Sequence, residues 1–274
     1  MNEPFGALAP TPAQDRWREI GSRLPRNYFG RKAASLLLGP AGGRARRAYD
    51  VEIFGSQRAR LHPFDNICEK RVFLTPQLWD FSERAFLAEL IARHEEPQFN
   101  FVDVGANVGL YSLFVRAETR RRGLALRAVC IEPDPEMRRR LEFNVIASQA
   151  EEEIKALAFA ANSTTALLKL AVRADSRGMT RIDDAGDLIA QGRPLAELVS
   201  DFERIDAMKV DIEGHEFPTL ERFFDTAPPA AFPRALLIET QHEKEGRSAF
   251  ALAAARNYRT AVRTPLNVVL IRSD

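Results

Sequence analysis

From residue 99 onward, short apolar runs alternate with longer segments in which apolar residues return every three or four positions. The runs cover residues 99–104, 128–131, 154–159, 205–210 and 235–240. Strands that are apolar at nearly every position suit a parallel sheet covered on both faces, and the segments between them supply the covering helices. In the first such segment Leu110, Leu113, Phe114 and Ala117 fall on one helical stripe, and Gly123 provides a stop. In the second, Asp134 caps a helix whose first position is Pro135, with Met137, Leu141 and Val145 at four-residue intervals beneath. Residues 258–262 and 268–271, separated by a turn at Pro265, predict two closing strands, antiparallel at the sheet edge. The pattern therefore predicts a doubly wound, mostly parallel α/β sheet over residues 99–274, with residues 164–172 adding a surface hairpin.

Ahead of that core the pattern is less regular. Residues 1–48 read as a helical or flexible N-terminal extension, with Trp17, Ile20 and Leu24 near helical spacing and Arg44, Arg46 and Arg47 beside Gly42 and Gly43. That basic cluster reads as a solvated linker or as a contact for a phosphate or a glycan acid. Residues 49–98 predict a hairpin around Gly55 and Ser56, then a helix over 82–92 with an acidic first turn. Leu36, Leu37 and Leu38 are cut short by Gly39 and Pro40, so neither a signal peptide nor an integral membrane segment is expected. The 39 Lys and Arg nearly cancel the 38 Asp and Glu, leaving no global field that would draw nucleic acid or an anionic membrane, only local basic runs. Cys68 and Cys130 stand too far apart for a disulfide framework or a thiolate zinc site, which places the chain in a reducing, cytoplasmic setting.

Ligands of a doubly wound sheet bind beyond the carboxyl ends of its strands, so the residues just after each strand carry the candidate chemistry. The first strand runs into Asp103-Val104-Gly105-Ala106-Asn107-Val108-Gly109. Gly105 and Gly109 let the backbone turn sharply against a ligand, and Asn107 tolerates positive φ. A dinucleotide fingerprint needs glycine at positions 107 and 110, where Asn107 and Leu110 stand, so hydride transfer is disfavoured. No Lys or Arg lies between Asp103 and Phe114 to clamp a phosphate. Glu132, 23 residues beyond Gly109, ends the second strand where a carboxylate meets a ribose. A ribose without a phosphate clamp points to S-adenosylmethionine, with Asn162 after the third strand as the residue for the base edge.

Lys209-Val210-Asp211-Ile212-Glu213-Gly214-His215-Glu216 concentrates charge after the fourth strand. Asp211 faces the methyl donor there, and His215, with Glu213 beside it, is the candidate base for a hydroxyl acceptor. In the alternative reading Glu213 and Glu216 cap a helix starting near Pro218, and His215 is merely bonded to them. Asp211 and Glu239 have the chemistry for magnesium or calcium, but the spacing does not demand an ion and no metal is expected.

Taken together, the 103–109 loop, Glu132-Pro133-Asp134-Pro135 and the 209–216 cluster resemble the FkbM family of methyltransferases. The resemblance spans residues 79–239 and includes Glu83 and the stretch from Leu141 to Asn144. It implies the class I methyltransferase (Rossmann-like) fold, S-adenosylmethionine as cofactor, and O-methylation of a hydroxyl on a sugar, glycolipid or polyketide-like small molecule. By position, it marks Asp103, Gly105, Asn107, Gly109 and Glu132 for the donor and Asp211, Glu213, Gly214, His215 and Glu216 for the motif after strand four. Where the family often has an acid after strand three and a Leu-Asp-Asp run before strand four, this chain has Ala160-Ala161 and Leu195-Ala196-Glu197. The competing readings are a non-catalytic donor-binding or scaffold module of the same fold, and an NAD or nucleotide-sugar enzyme.

Overall fold

The computed structural model describes residues 3–172, 177, 180–242 and 247–273. Two capped helices come first. Thr11 and Gln14 form a reciprocal capping box at α1 (Pro12–Ser22), and the Asn27 side chain accepts the Gly30 N–H at 3.0 Å to start α2 (Tyr28–Leu37). The hairpin of β1 (Tyr49–Ile53) and β2 (Gln57–Leu61) follows, then α3 (Ile67–Leu74) and α4 (Phe81–Ala92). The apolar pattern did not predict α3. It is eight residues long and is held by its cap, Asn66, whose Oδ1 accepts from Cys68 and Glu69 N–H.

The core then alternates as expected: β3 (Gln98–Val104), α5 (Leu110–Arg122), β4 (Ala125–Ile131), α6 (Pro135–Ala147) and β5 (Ile154–Leu157). Here the expected third strand ends two residues early. The chain leaves the main sheet and builds a second one from β6 (Ala160–Asn162), β7 (Ala166–Ala171), β8 (Arg181–Ile182) and β9 (Leu188–Pro194), in the order β6-β9-β7-β8. The hairpin expected over 164–172 is instead the single strand β7, paired antiparallel with β8 and β9. The reason lies in its alternation: Leu168 and Leu170 pack inward with Ala160 and Ala190 while Leu167 is left exposed, so the stretch runs straight and finds its partners far along the chain.

A short α7 (Leu195–Leu198) leads to β10 (Ala207–Val210), α8 (Glu216–Thr226), β11 (Ala235–Glu239), α9 (Ala249–Ala254), β12 (Tyr258–Arg263) and β13 (Asn267–Arg272). The seven-stranded sheet runs β12-β13-β11-β10-β3-β4-β5; its five central and outer strands from β11 to β5 are parallel, and β13 and β12 are the antiparallel edge. Period-two alternation sorts the side chains onto two faces. Phe99 and Phe101 join one apolar cluster with the hairpin and α3 to α6, and Val102 and Val104 join another with α7 to α9. No helix among the described residues is long and apolar enough to cross a membrane.

Polar links fasten the early elements to the core. Asn144 of α6, fully buried, accepts the Arg60 N–H at 2.8 Å and donates to the Val108 carbonyl at 3.0 Å, joining the hairpin to the loop after β3. Arg140, one turn earlier, is buried among Asp65, Glu69 and Glu136. Glu83 of α4 accepts from Thr264 Oγ1 at 2.8 Å and Asn267 Nδ2 at 2.9 Å, which fixes the turn between the two edge strands. Replacing Asn144 with Leu strands a buried N–H and a buried carbonyl, at a cost of about 2–4 kcal/mol. The melting temperature of Asn144→Leu should fall by roughly 5–10 °C. A melt within about 2 °C of the parent protein would show that the bridge is not limiting.

Candidate active site

The chain leaves β3 toward one face of the sheet and β10 toward the other, so a crevice opens between their carboxyl ends. On the β3 side, Gly105 (φ 74°), Asn107 (φ 51°) and Gly109 (φ 81°) put three left-handed residues into five positions. At Gly105 the need for glycine is also steric, because a Cβ there would lie 1.8 Å from the Asp211 carbonyl oxygen. Gly109 starts α5 against Leu141, and Ala106 and Asn107 form the crest of the loop that lines the crevice.

Glu132 follows β4 directly, beside this loop, and is buried. Its Oε2 accepts the Asn107 N–H at 2.8 Å and its Oε1 the Asp134 N–H at 2.9 Å, and each oxygen retains a second lone pair. Burial pushes the carboxyl up to about 8, against the two N–H donors that favour its charged form. Asp103 lies a layer below, on the α5 face. Its Oδ2 accepts from Ser112 Oγ at 2.9 Å and its Oδ1 lies 3.9 Å from Lys209 Nζ, so it underpins the loop and lines no part of the crevice.

Lys209 is the register neighbour of Asp103 on the adjacent strand, and its Nζ lies 3.0 Å from Asp211 Oδ2. Burial works against the charge, yet the Asp211 and Asp103 carboxylates outweigh it and hold the ammonium pKa above its ordinary value. The turn that follows carries two positive-φ residues, Glu213 and Gly214. Glu216 braces it: Oε1 accepts the N–H groups of Ile212 at 2.9 Å and Gly214 at 3.2 Å as the residue opens α8.

His215 and Asn162, expected at the acceptor and the adenine respectively, are partners. The ring Nε2 lies 2.8 Å from Asn162 Oδ1, while Asn162 Nδ2 donates to the Thr164 carbonyl, so Nε2 carries the proton. Neither residue lines the crevice, and burial lowers the His215 pKa, which keeps the ring neutral at pH 7. The imidazole that faces the acids is His242, whose Nε2 approaches Glu213 Oε2 at 3.2 Å without the alignment of a hydrogen bond. On the neighbouring strand, burial and then the charges of Asp211, Glu213 and Glu216 push Glu239 up to about 9. Ligand atoms of Glu213, Glu239 and His242 all lie within 4.8 Å of one another.

Two cavities meet along Gly105, Asn107, Asp211 and Glu213. The narrower runs over Glu132, Met137, Ala160 and Ala161 and is roofed by Leu170 and Ile182 of the second sheet. The larger, about 320 Å³, continues past Ala106 and Lys209 to residues supplied by α3 and the α3–α4 connection: Ile67, Cys68, Arg71, Trp79 and Asp80. Trp79 is buried with its indole N–H unpartnered, and Asp80, itself at positive φ, accepts from the Tyr111 hydroxyl at 3.0 Å. Sequence reasoning did not assign these residues to a site. Nothing local distinguishes Trp79 or Tyr111 from core aromatics.

The crevice position, the strand-end acid and the turn after β10 together fit one family, whose sequence model, the methyltransferase FkbM domain, matches residues 103–258, more than half of the chain. The chain belongs to the FkbM methyltransferase family. It is an S-adenosylmethionine-dependent methyltransferase with a Rossmann-like, mostly parallel sheet. Solved structures resemble the chain at low identity. A methyltransferase FkbM from Methylobacillus flagellatus KT is 13% identical with a TM-score of 0.45, covering 93% of this chain and 76% of that one. The METTL16 methyltransferase domain is 12% identical with a TM-score of 0.49, covering 95% of this chain and 80% of that one. TrmK from M. capricolum, solved with S-adenosylhomocysteine, is 9% identical with a TM-score of 0.40, covering 69% and 68%. No curated protein matches the chain.

The residues present suit the cofactor of this FkbM-family methyltransferase. Gly105 allows close backbone approach, Glu132 has lone pairs to spare at the narrower cavity, and the larger cavity sets Asp80, Asp211 and Glu213 against Arg71 and Lys209, a balance that favours a sulfonium cation even with Glu239 protonated. The raised pKa of Glu239 has a thermodynamic consequence. Its stabilising contribution is complete below the unfolded-state pKa near 4.5 and is lost as pH rises through about 9. The difference in melting temperature between Glu239→Gln and the parent protein should therefore shift steadily in favour of the variant as pH rises from about 5 toward 9. A pH-independent difference would mean that Glu239 is already ionised at neutral pH.

Proposed function

We propose that this methyltransferase methylates a hydroxyl of a sugar, glycolipid or polyketide-like small molecule, held in the larger cavity while the donor nucleoside occupies the narrower one. The observation that carries the reading is that the two cavities join at Asp211 and Glu213, the carboxylates nearest the point where donor and acceptor would meet. Bound S-adenosylmethionine supplies a methyl group already activated by its sulfonium sulfur. The protein's task is then to bind, align and remove one proton.

In this scheme Glu132 holds the ribose, and the Gly105, Ala106, Asn107 and Gly109 loop lets backbone approach the donor. Asp103 supports that loop through Ser112 and Lys209. Asp211, anchored by Lys209, orients the acceptor, and Glu213 takes its proton, with His242 alongside. Burial raises the Glu213 pKa, which makes it a better base than an ordinary surface carboxylate. His215 acts through position: tied to Asn162, it holds the 211–216 turn against β6. The acceptor side favours a hydroxyl-rich ligand because Lys209, Gln241 and Asn267 offer donors beside aromatic surface, and its acidic wall disfavours nucleic acid. Lys209 and the proton on Glu239 already offset charge among the acids, so the scheme uses no metal ion. The unpaired Cys68 and Cys130 suit a reducing, cytoplasmic setting.

Calorimetric titration of Glu132→Gln with S-adenosylhomocysteine should show affinity weakened by about 1.5–3 kcal/mol. Unchanged affinity would place the ribose elsewhere. For transfer itself, an acceptor would be sought by incubating labelled donor with polar extracts of sugars, glycolipids and polyketides. With it, and in excess chelator, Glu213→Gln should lose about 10²–10⁴-fold in rate with donor binding nearly intact, while His215→Ala loses less than about tenfold. The reverse ranking would return the base to His215. Activity abolished by chelator and restored by magnesium would instead make Glu213, Glu239 and His242 ligands.

A further inference from the structure

Charge is unevenly spread along this chain. Residues 16–47 carry nine of the 39 Lys and Arg but one of the 38 acids, so the rest of the chain is net negative. The same stretch leaves three large apolar side chains mostly in water: Phe29 is 76% exposed, Leu36 75% and Tyr28 66%. At the helical advance per residue, Tyr28, Phe29, Lys32 and Leu36 fall within one arc of α2 about 100° wide, while Gly30 packs inward.

The cations sit where that arc can use them. Arg26, Arg31 and Lys32 form no ion pair among the described residues. The Lys32 ammonium lies 5.5 Å from the centroid of the Tyr28 ring, and the Arg26 guanidinium 4.0 Å from that of Phe81, which is itself exposed. Long cationic side chains that keep to apolar surface with their charged heads in water match the boundary between lipid headgroups and acyl chains. An anionic bilayer offers both complements at once, phosphate for the cations and an apolar boundary for Phe29, Tyr28 and Leu36.

The placement in the fold links this face to the active site. Gly21 of α1 packs so closely on α3 that a Cβ would lie 2.5 Å from the Leu74 carbonyl oxygen, and Gln77 Nε2 donates to the Gly21 and Leu24 carbonyls. The same α3 supplies Ile67, Cys68 and Arg71 to the larger cavity. We infer that the α1–α2 unit is a peripheral docking surface for an anionic lipid bilayer, laying the Tyr28, Phe29 and Leu36 arc among the headgroups with Arg and Lys paired to lipid phosphates. This rests on exposure and charge, independently of the proposed acceptor.

Cosedimentation of the full chain with vesicles tests it. Phosphatidylcholine vesicles with about 30 mol % phosphatidylglycerol should bind the chain at least roughly tenfold more tightly than pure phosphatidylcholine, and about 0.5 M salt should weaken the binding. A Tyr28→Ser/Phe29→Ser variant and an Arg31→Glu/Lys32→Glu variant should each bind the anionic vesicles roughly tenfold more weakly. Both should keep the parent melting temperature and S-adenosylhomocysteine affinity, since these side chains are exposed; if one variant melts early, the other decides. No binding to anionic vesicles, equal binding to pure phosphatidylcholine, or binding unchanged in a folded variant would overturn the inference. So would retention by an oligonucleotide without retention by vesicles, which would make the face a nucleic-acid surface.

Discussion

The ends of β3 and β10 lie so close that Gly105 has no room for a side chain against the Asp211 carbonyl. This contact places the loop that would receive the donor directly beside the turn that carries the acids. It follows from parallel pairing, since the Asp211 N–H donates to the Val104 carbonyl at 3.0 Å and continues the ladder one step past the strand. A bulkier residue at 105 would have to push the two strand ends apart, and the two cavities would lose their common border.

Beneath that contact lies a charge arrangement that the strand register imposes. Asp103 and Lys209 are side by side on adjacent strands and face the same side of the sheet. A buried ammonium with two carboxylate neighbours stays charged and pins Asp211. Burial and the neighbouring carboxylates disfavour ionising every acid farther out, so Glu239 keeps its proton at neutral pH. The crevice is negative without carrying the full charge of its residues, an environment matched to one positive sulfonium.

The elements before the sheet complete the site. Asn66 caps α3 and donates to Asn107 Oδ1 at 2.9 Å, so the helix that walls the larger cavity is bonded to the crest of the donor loop. Arg140 ties the segment just before α3, and α3 itself, to α6 through Asp65 and Glu69. These links run between residues more than forty positions apart, and they bring Trp79 and Asp80 to the face of Lys209. The second sheet does the corresponding work over the narrower cavity, where the strand leaving β5 supplies Ala160 and Ala161 to its wall.

By itself the sequence determined what depends on near neighbours in the chain. The glycines of the 103–109 loop, the Asp134 cap with Pro135, the Gly123 stop and the position of Glu132 all express local backbone preference or strand-end geometry, and each stands where the pattern put it. Tertiary structure alone decided the partners. Which of the charged residues of the 209–216 turn would brace it, pair with Lys209 or face the crevice depends on strands and loops brought up from elsewhere. The same residue types at the same spacing allow several such arrangements. His215 was drawn to Asn162 because β6 swings out of the main sheet, and Glu216 was taken by the N–H groups of a turn with two left-handed residues. The strands of the second sheet and the walls supplied by α3 were illegible for the same reason: hydrophobic periodicity records that a side chain is buried, and says nothing about which distant segment buries it.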